Sequence, residues 1–380
     1  MPTKFLICIA TYGKRIRNQL ILTRLLNSLM ILPKNRFRVL IVNTNDPYDE
    51  KVTESINKTI TKFKKHSPII QITKYDVDFL HDSLIKEGFN GIVEHINFKG
   101  FSNFRNIMLI VARCLRQKII FMVDDDGVVE DKSLARRVVE FIGENIKGNV
   151  LYGKTGYYIN EDDTPYLVQQ SPKKRKLWLK ETYINEALDQ NLSTKNRFHK
   201  TFLAFGGVMV LHKKLFSKVP FDPNIKRGED VDYVINAKQF GFQFLFDKKL
   251  KIKHLPPKKH VKYWDKLRQD IFRFVYEREK LKYFNRIDLN SLEPYPAVFL
   301  KDDLEYRAVF TSINYAKRAL KRKDYVFYKE SFSNVELLYK DAKMHAVINA
   351  PRYFEFQKQW INLMQFIQKS KKLKKHFDRF

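Results

Sequence analysis

The sequence predicts an α/β fold of the Rossmann-like kind, a mostly parallel sheet flanked by helices, with a mainly helical C-terminal extension. Three observations carry this. Apolar runs of strand length alternate with longer stretches of helical spacing through the first half, the pattern of strands joined by crossover helices. Five consecutive apolar residues, 119–123, read as a strand buried on both faces. Amphipathic segments dominate after residue 261.

In chain order, residues 4–10 read as a strand, 17–31 as a helix, 38–42 as a strand, 51–64 as a helix and 69–73 as a strand. Phe104, Ile107, Met108, Val111, Cys114 and Leu115 then recur at helical spacing ahead of the 119–123 strand. That strand delivers three adjacent aspartates, Asp124, Asp125 and Asp126, followed by Gly127. Ligands of open α/β sheets bind outside the carboxyl ends of the strands, so this is the expected mouth of a site. Three neighbouring carboxylates repel unless solvent, protons or a cation intervenes. The functional reading is a hard divalent cation, Mg²⁺ or Mn²⁺, shared with substrate phosphates; the plain alternative is an exposed acidic turn.

Periodicity weakens over 157–200, which reads as a long insertion carrying a short helix and the basic residues Lys173, Lys174, Arg175 and Lys176. A strand-like segment, 202–211, follows, interrupted by Gly206 and Gly207, where a ligand or another backbone can come close. Gly228, Glu229, Asp230 and Asp232 open a helix that stops at Gly241. Capping alone accounts for carboxylates in a first turn. Segments 242–246 and 250–253 read as a short hairpin or two strands ending at His254, and helical patterns then cover 263–283, 306–322 and 352–380.

Composition bounds the partners. With 380 residues, 44% of them hydrophobic, wholesale disorder is excluded. The formal net charge of +29 predicts attraction to polyanions, that is, nucleic acid, anionic lipid or phosphorylated substrates, unless it merely solvates the surface. From residue 251 onward 30 basic residues face 15 acidic ones, so about half the excess lies in the final third. The two cysteines, Cys8 and Cys114, can build neither a disulfide framework nor a cysteine metal cluster. No stretch approaches the roughly 18 apolar residues of a membrane span, and the N-terminal apolar run is too short for a signal segment. A cytoplasmic protein is expected, with peripheral membrane contact left open.

Four features stand in one order: Ile9-Ala10-Thr11-Tyr12, then Ser102-Asn103-Phe104-Arg105-Asn106, then Val123-Asp124-Asp125-Asp126, then Gly206-Gly207 followed by Gly228-Glu229-Asp230 and His254. The combination resembles the GT-A fold glycosyltransferases, most closely the inverting family 2 type, over roughly residues 1–257. The resemblance implies a catalytic domain over 1–257, with nucleotide-sugar binding in about 1–126 and the acceptor side in about 150–257, and leaves 258–380 as a basic helical region without a counterpart. It implies sugar transfer from a nucleoside-diphosphate sugar to a glycan, glycolipid or other hydroxyl acceptor, with Mn²⁺ or Mg²⁺. Asp124 and Asp126 match the DxD motif, Asp126 on the metal and Asp124 nearer the ribose or a metal-bound water, with His254 as a further ligand. Asp230 matches the catalytic base, and Glu229 an acceptor-binding group and second choice of base. Arg105 matches a basic residue that helps neutralise the donor diphosphate. Thr11, Asn43, Asp46, Asp125 and Gly207 fall where such enzymes hold the nucleotide sugar, although Asn43 stands where an aspartate is common.

A retaining transferase of the same fold would use the same metal site. From other classes, a nucleic-acid-binding protein would use the basic helices, but no recognisable module is present and the acidic triad opposes such a ligand. A nucleotidyltransferase would normally carry a Gly-rich phosphate loop, for which residues 11–15 are a weak candidate. The last segment, with Trp360, Ile361, Met364 and Ile367 ahead of Lys371, Lys372, Lys374 and Lys375, fits either an anionic membrane surface or packing on the catalytic domain.

Overall fold

In the computed structural model residues 5–11, 20–45, 47–146, 148–167, 177–257 and 262–379 are described. Strand β1 (Phe5–Thr11) is followed by helix α1 (Leu20–Leu29), β2 (Phe37–Asn43), α2 (Glu50–Thr61), β3 (Ile69–Ile72), α3 (Lys74–Ile85), the single turn α4 (Asn90–Val93), α5 (Phe101–Cys114) and β4 (Ile119–Asp124). These strands pair in parallel in the order β3-β2-β1-β4. The register sets Thr11 level with Asn43 and Ala10 level with Asp124, so three carboxyl ends open at one edge.

The chain continues through β5 (Gly127–Val128), α6 (Leu134–Val139), a small hairpin of β6 (Asn145–Ile146) and β7 (Asn149–Val150), β8 (Gly153–Ile159), α7 (Lys180–Ser193), β9 (Phe198–Lys200), β10 (Met209–His212), α8 (Lys213–Phe216), α9 (Glu229–Gln239) and β11 (Phe244–His254). Strand β10 starts at the mouth and runs away from it, so it pairs antiparallel with β4 and with β8. Strand β11 then returns parallel to β8, with β5 and β9 antiparallel along it. The expected fold class is the observed one, parallel in its first half and mixed in its second.

Three expectations are corrected. Segment 202–211 is strand only from Met209, because Gly206 to Val208 form a tight helical turn. Segments 242–246 and 250–253 are not a hairpin but one strand, with a register shift between Phe246 and Lys251. The polar residues that suggested a turn are absorbed there: Asp247 is fully buried and accepts from Arg197 at 2.8 and 3.0 Å. Finally, the weakly periodic stretch opens inside β8: Tyr157–Ile159 end a strand whose first four residues, two glycines and a lysine among them, are buried just ahead of it.

Each sheet face has its own core. Phe5, Ile7 and Ile9 point to the side covered by α1, α2 and α6, while Leu6 and Cys8 point to the side covered by α5. Burial pushes both free thiols, Cys8 and Cys114, far above their ordinary range, as expected of small buried hydrophobes.

The C-terminal helices are α10 (Tyr263–Leu281), α11 (Leu304–Lys321), α12 (Tyr325–Leu337), a π-helical turn at Leu338–Ala342, α13 (Lys343–Lys369) and α14 (Lys371–Phe377). Helices α10 and α11 and the start of α13 form a third core with α7 and α9, and the rest of α13 with α14 joins the core over α5. Trp360, Met364, Ile367 and Phe377 complete the apolar layer over α5, and the Trp360 indole N–H donates to the Phe216 carbonyl at 2.9 Å. The apolar face of the last segment is therefore turned onto the sheet domain, which removes it from membrane contact. Burying such side chains stabilises by about 1.5–3 kcal/mol each. Helix α10 is fastened by buried Lys280, which reaches Asp222 at 2.8 Å and also Asp232 of α9. Among the described residues no helix is long and apolar enough to cross a membrane.

Candidate active site

The buried run of β4 carries the chain to Asp124, turns through Asp125 and Asp126, and returns as β5. The turn separates the three carboxylates and gives each its own counterpart. Asp125 is buried and accepts from the Thr11 hydroxyl at the end of β1 at 2.9 Å. Asp126 is also buried, with Oδ1 3.3 Å from Nε2 of His254. His254 arrives because β11 pairs with β5, opposite Gly127. Asp124 is the most open of the three, its side chain 37% exposed.

Asp124 is fixed from two sides. Its Oδ2 accepts from the Tyr158 hydroxyl at 2.7 Å, and its Oδ1 lies 3.6 Å from the Arg105 guanidinium. The Tyr158 oxygen in turn accepts the Gly207 N–H at 2.8 Å. Burial and the neighbouring Asp124 hold the Tyr158 phenol well above its usual value, so it stays a donor. Its ring stacks on His254 with centroids 4.4 Å apart. Gly207 is required by space: a Cβ there would stand 2.3 Å from the Tyr158 hydroxyl and 2.8 Å from Cγ of Asp124.

Across the glycine pair lies Asp230, in the first turn of α9. Gly228 begins that turn with φ +77°, and a side chain there would strike the Arg273 guanidinium of α10. Asp230 is partly buried; its Oδ2 accepts the Gly206 N–H at 3.0 Å and its Oδ1 the Val231 N–H at 2.8 Å. Asp230 is thus held at Gly206 and Asp124 lies against Gly207, so both carboxylates border one Gly-Gly turn.

Two of the expected site residues are buried against each other. Glu229 is buried and bound to Arg105 Nε at 2.9 Å, so it faces inward and not toward an acceptor. Burial pushes its carboxyl up while Arg105 opposes the shift. Arg105 is 4% exposed, donates to the Gly206 carbonyl at 2.9 Å, and is enclosed by Glu229, Asp124 and that carbonyl. Burial works against its charge, but Glu229, Asp124 and Asp230 outweigh burial and raise its pKa. Its contacts hold the Gly206 turn, Asp124 and Glu229 together.

Thr11 ties β1 to Asp125 as described. Asn43 is buried and spans its own loop, donating to Thr53 at 3.1 Å and accepting from the Asn45 N–H at 3.2 Å. Asp46, Tyr12 to Arg15 and the basic run at 173–176 lie outside the described residues. Among the described residues no three His, Cys, Asp or Glu side chains converge as a metal cluster. The protein offers a pair, Asp126 and His254, while Asp124 is engaged by Tyr158. One oxygen and one imidazole donor fit a divalent cation completed by phosphate oxygens and water, and the imidazole favours Mn²⁺ over Mg²⁺. Tyr158 was missed from sequence; its only signal was the aromatic and Thr content of a segment whose glycines and lysine hid the strand.

No protein-family model matches the chain, and no curated protein sequence does. Among solved structures, a similar chain path occurs in the mannosyltransferase PcManGT from Pyrobaculum calidifontis, in complex with GDP-Man and Mn²⁺, at 8% identity and TM-score 0.49, covering 97% of this chain and 85% of that one. TarS 1–349 from S. aureus aligns at 14% identity and TM-score 0.48, covering 97% of this chain and 91% of that one. GalNAc-T7 with UDP, GalNAc and Mn²⁺ aligns at 12% identity and TM-score 0.42, covering 77% of this chain and 53% of that one. The parallel β3-β2-β1-β4 half, the antiparallel β10 and the acidic turn after β4 make up the Rossmann-like, mostly parallel architecture that the sequence predicts. What the site does is argued from its own geometry.

Proposed function

We propose that the protein is an inverting, metal-dependent glycosyltransferase that moves a sugar from a nucleoside-diphosphate sugar to an acceptor hydroxyl. The observation that supports this best is that Asp124 and Asp230 border one Gly-Gly turn, with His254 of the Asp126–His254 pair stacked on the Tyr158 ring that holds Asp124. One carboxylate group then serves the donor and another the acceptor. A bound Mn²⁺ or Mg²⁺, held by Asp126 and His254, would neutralise charge on the departing diphosphate.

The chain's own residues do the rest. Asp230 takes the proton from the acceptor O–H as that oxygen attacks the anomeric carbon; the bond from carbon to the diphosphate oxygen breaks, and the nucleoside diphosphate leaves. The backbone N–H groups of Gly206 and Val231 hold the Asp230 carboxylate in place. Tyr158 and Arg105 hold Asp124 toward the donor, and Glu229 holds the Arg105 guanidinium in place. Residues 1–126 serve the nucleotide and 150–257 the acceptor in this reading.

The test is calorimetric titration of UDP, GDP, CDP and their sugar conjugates, with and without Mn²⁺. Binding of one nucleotide that needs metal and is lost in Asp126→Ala supports the donor site. Asp230→Asn should then abolish transfer while nucleotide binding stays, and NMR of the product should show inverted anomeric configuration. Unimpaired transfer by Asp230→Asn removes the base assignment, and a retained configuration makes the enzyme a retaining one.

A further inference from the structure

The tip of the α11–α12 hairpin is exposed without interruption from Leu320 to Val326. Three of its large side chains are among the most open apolar groups described: Leu320 is 51% exposed, Tyr325 65% and Val326 71%. Around them stand Lys317, Arg318, Lys321, Arg322 and Lys323, all exposed. The one acidic residue of the turn, Asp324, is occupied locally: its carboxylate accepts the Phe327 N–H at 2.9 Å and its own N–H closes the turn on the Ala319 carbonyl at 3.0 Å.

We propose that this hairpin tip docks the protein on an anionic membrane surface. The occupant follows from the composition of the patch. A concentrated positive charge selects an anionic partner, and aliphatic and tyrosyl side chains beside it gain by leaving water at the headgroup boundary. The tip is part of a framework anchored elsewhere: Ala316 and Ala319 of α11 are buried, and Asn334 of α12 donates to the Trp264 carbonyl at 2.9 Å. Its apolar residues are therefore left over from packing, in contrast to Trp360, Met364 and Ile367 of the terminal helix. Membrane contact, one of two readings the sequence left open for the last segment, belongs in this proposal to residues 317–326.

The full chain is sedimented with vesicles of phosphatidylcholine alone and of phosphatidylcholine with phosphatidylglycerol. Binding is expected to the anionic vesicles only, weakened by salt. The triple change Leu320→Ser, Tyr325→Ser, Val326→Ser and the pair Lys321→Glu, Arg322→Glu should each reduce binding roughly tenfold or more. Both variants change exposed side chains only, so their circular-dichroism melts should match the wild type. Lys371→Glu with Lys375→Glu, on the terminal helix, should bind like wild type. Failure of the wild-type chain to bind anionic vesicles overturns the proposal, as does equal binding by the tip variants. It is also overturned if light scattering shows that the tip joins two copies of the chain and that the tip variants are monomers. None of these readouts depends on sugar transfer.

Discussion

The Tyr158 hydroxyl donates to Asp124 at 2.7 Å while its ring lies on His254 with centroids 4.4 Å apart. One side chain of β8 therefore sets the positions of two groups assigned to donor binding. Tyr158→Phe keeps the ring and removes only the oxygen, which also leaves the Gly207 N–H without its acceptor. A lost buried hydrogen bond of this kind costs about 1–3 kcal/mol. Metal-dependent nucleotide affinity should fall roughly tenfold by calorimetry, with a smaller loss for nucleotide alone, since His254 stays stacked. Equal affinities in wild type and variant would show that Asp124 needs no such support.

Arg105 and Glu229 form a buried ion pair beneath the same turn, with side chains 5% and 6% exposed. Removing one partner strands the other charge away from water, which costs about 3–5 kcal/mol. Arg105→Met should therefore destabilise by that order in denaturant titration. The double variant Arg105→Met, Glu229→Gln should recover a large part of the loss, because the stranded carboxylate is gone. Simple addition of the two single losses would show that the pair is not coupled.

Gly207→Ala tests the spacing of the site independently of charge. The new methyl would meet both the Tyr158 hydroxyl and Asp124, so the pair must part or the turn must shift. Nucleotide binding in the presence of Mn²⁺ should be lost, and the melting temperature should fall as well, because the turn is buried between β4 and β8. A variant that binds like wild type would place the donor elsewhere.

Much of the frame was legible because its signals are local. The alternation up to Val123, the acidic turn and the helix opened by Glu229 all read directly from periodicity and residue type. What was not legible depends on pairing between distant segments. Glu229 and Arg105 are 124 positions apart, and nothing in either neighbourhood says that each is buried against the other. Tyr158 meets Asp124 because β10, which lies between β4 and β8, begins only at Met209, short of the level of both residues. The Asp247 bulge looked like a turn because its partner, Arg197, lies in a different strand connection. The terminal helix could be read either way because the apolar surface it covers is formed by α5, about 250 residues earlier, where the Arg113 Nε donates to the Met364 carbonyl at 3.1 Å.

The last prediction concerns Lys154 of β8, which is fully buried beside Asp247 at 3.5 Å and donates to the Glu140 carbonyl at 3.0 Å. Burial pulls its pKa down to about 8, against the attraction of Asp247. In the unfolded chain a lysine titrates near 10.4, so between about pH 8 and 10 the unfolded state binds more protons than the folded one. Stability attributable to this residue must then rise with pH over that window. Lys154→Met removes the titration while Asp247 keeps Arg197. The difference in unfolding free energy, wild type minus variant, should increase between pH 8 and pH 10 in urea titrations, whatever its value at neutral pH. A difference that is flat over this window, or that decreases, would mean that Lys154 is not depressed in the fold and that Asp247 compensates its burial in full.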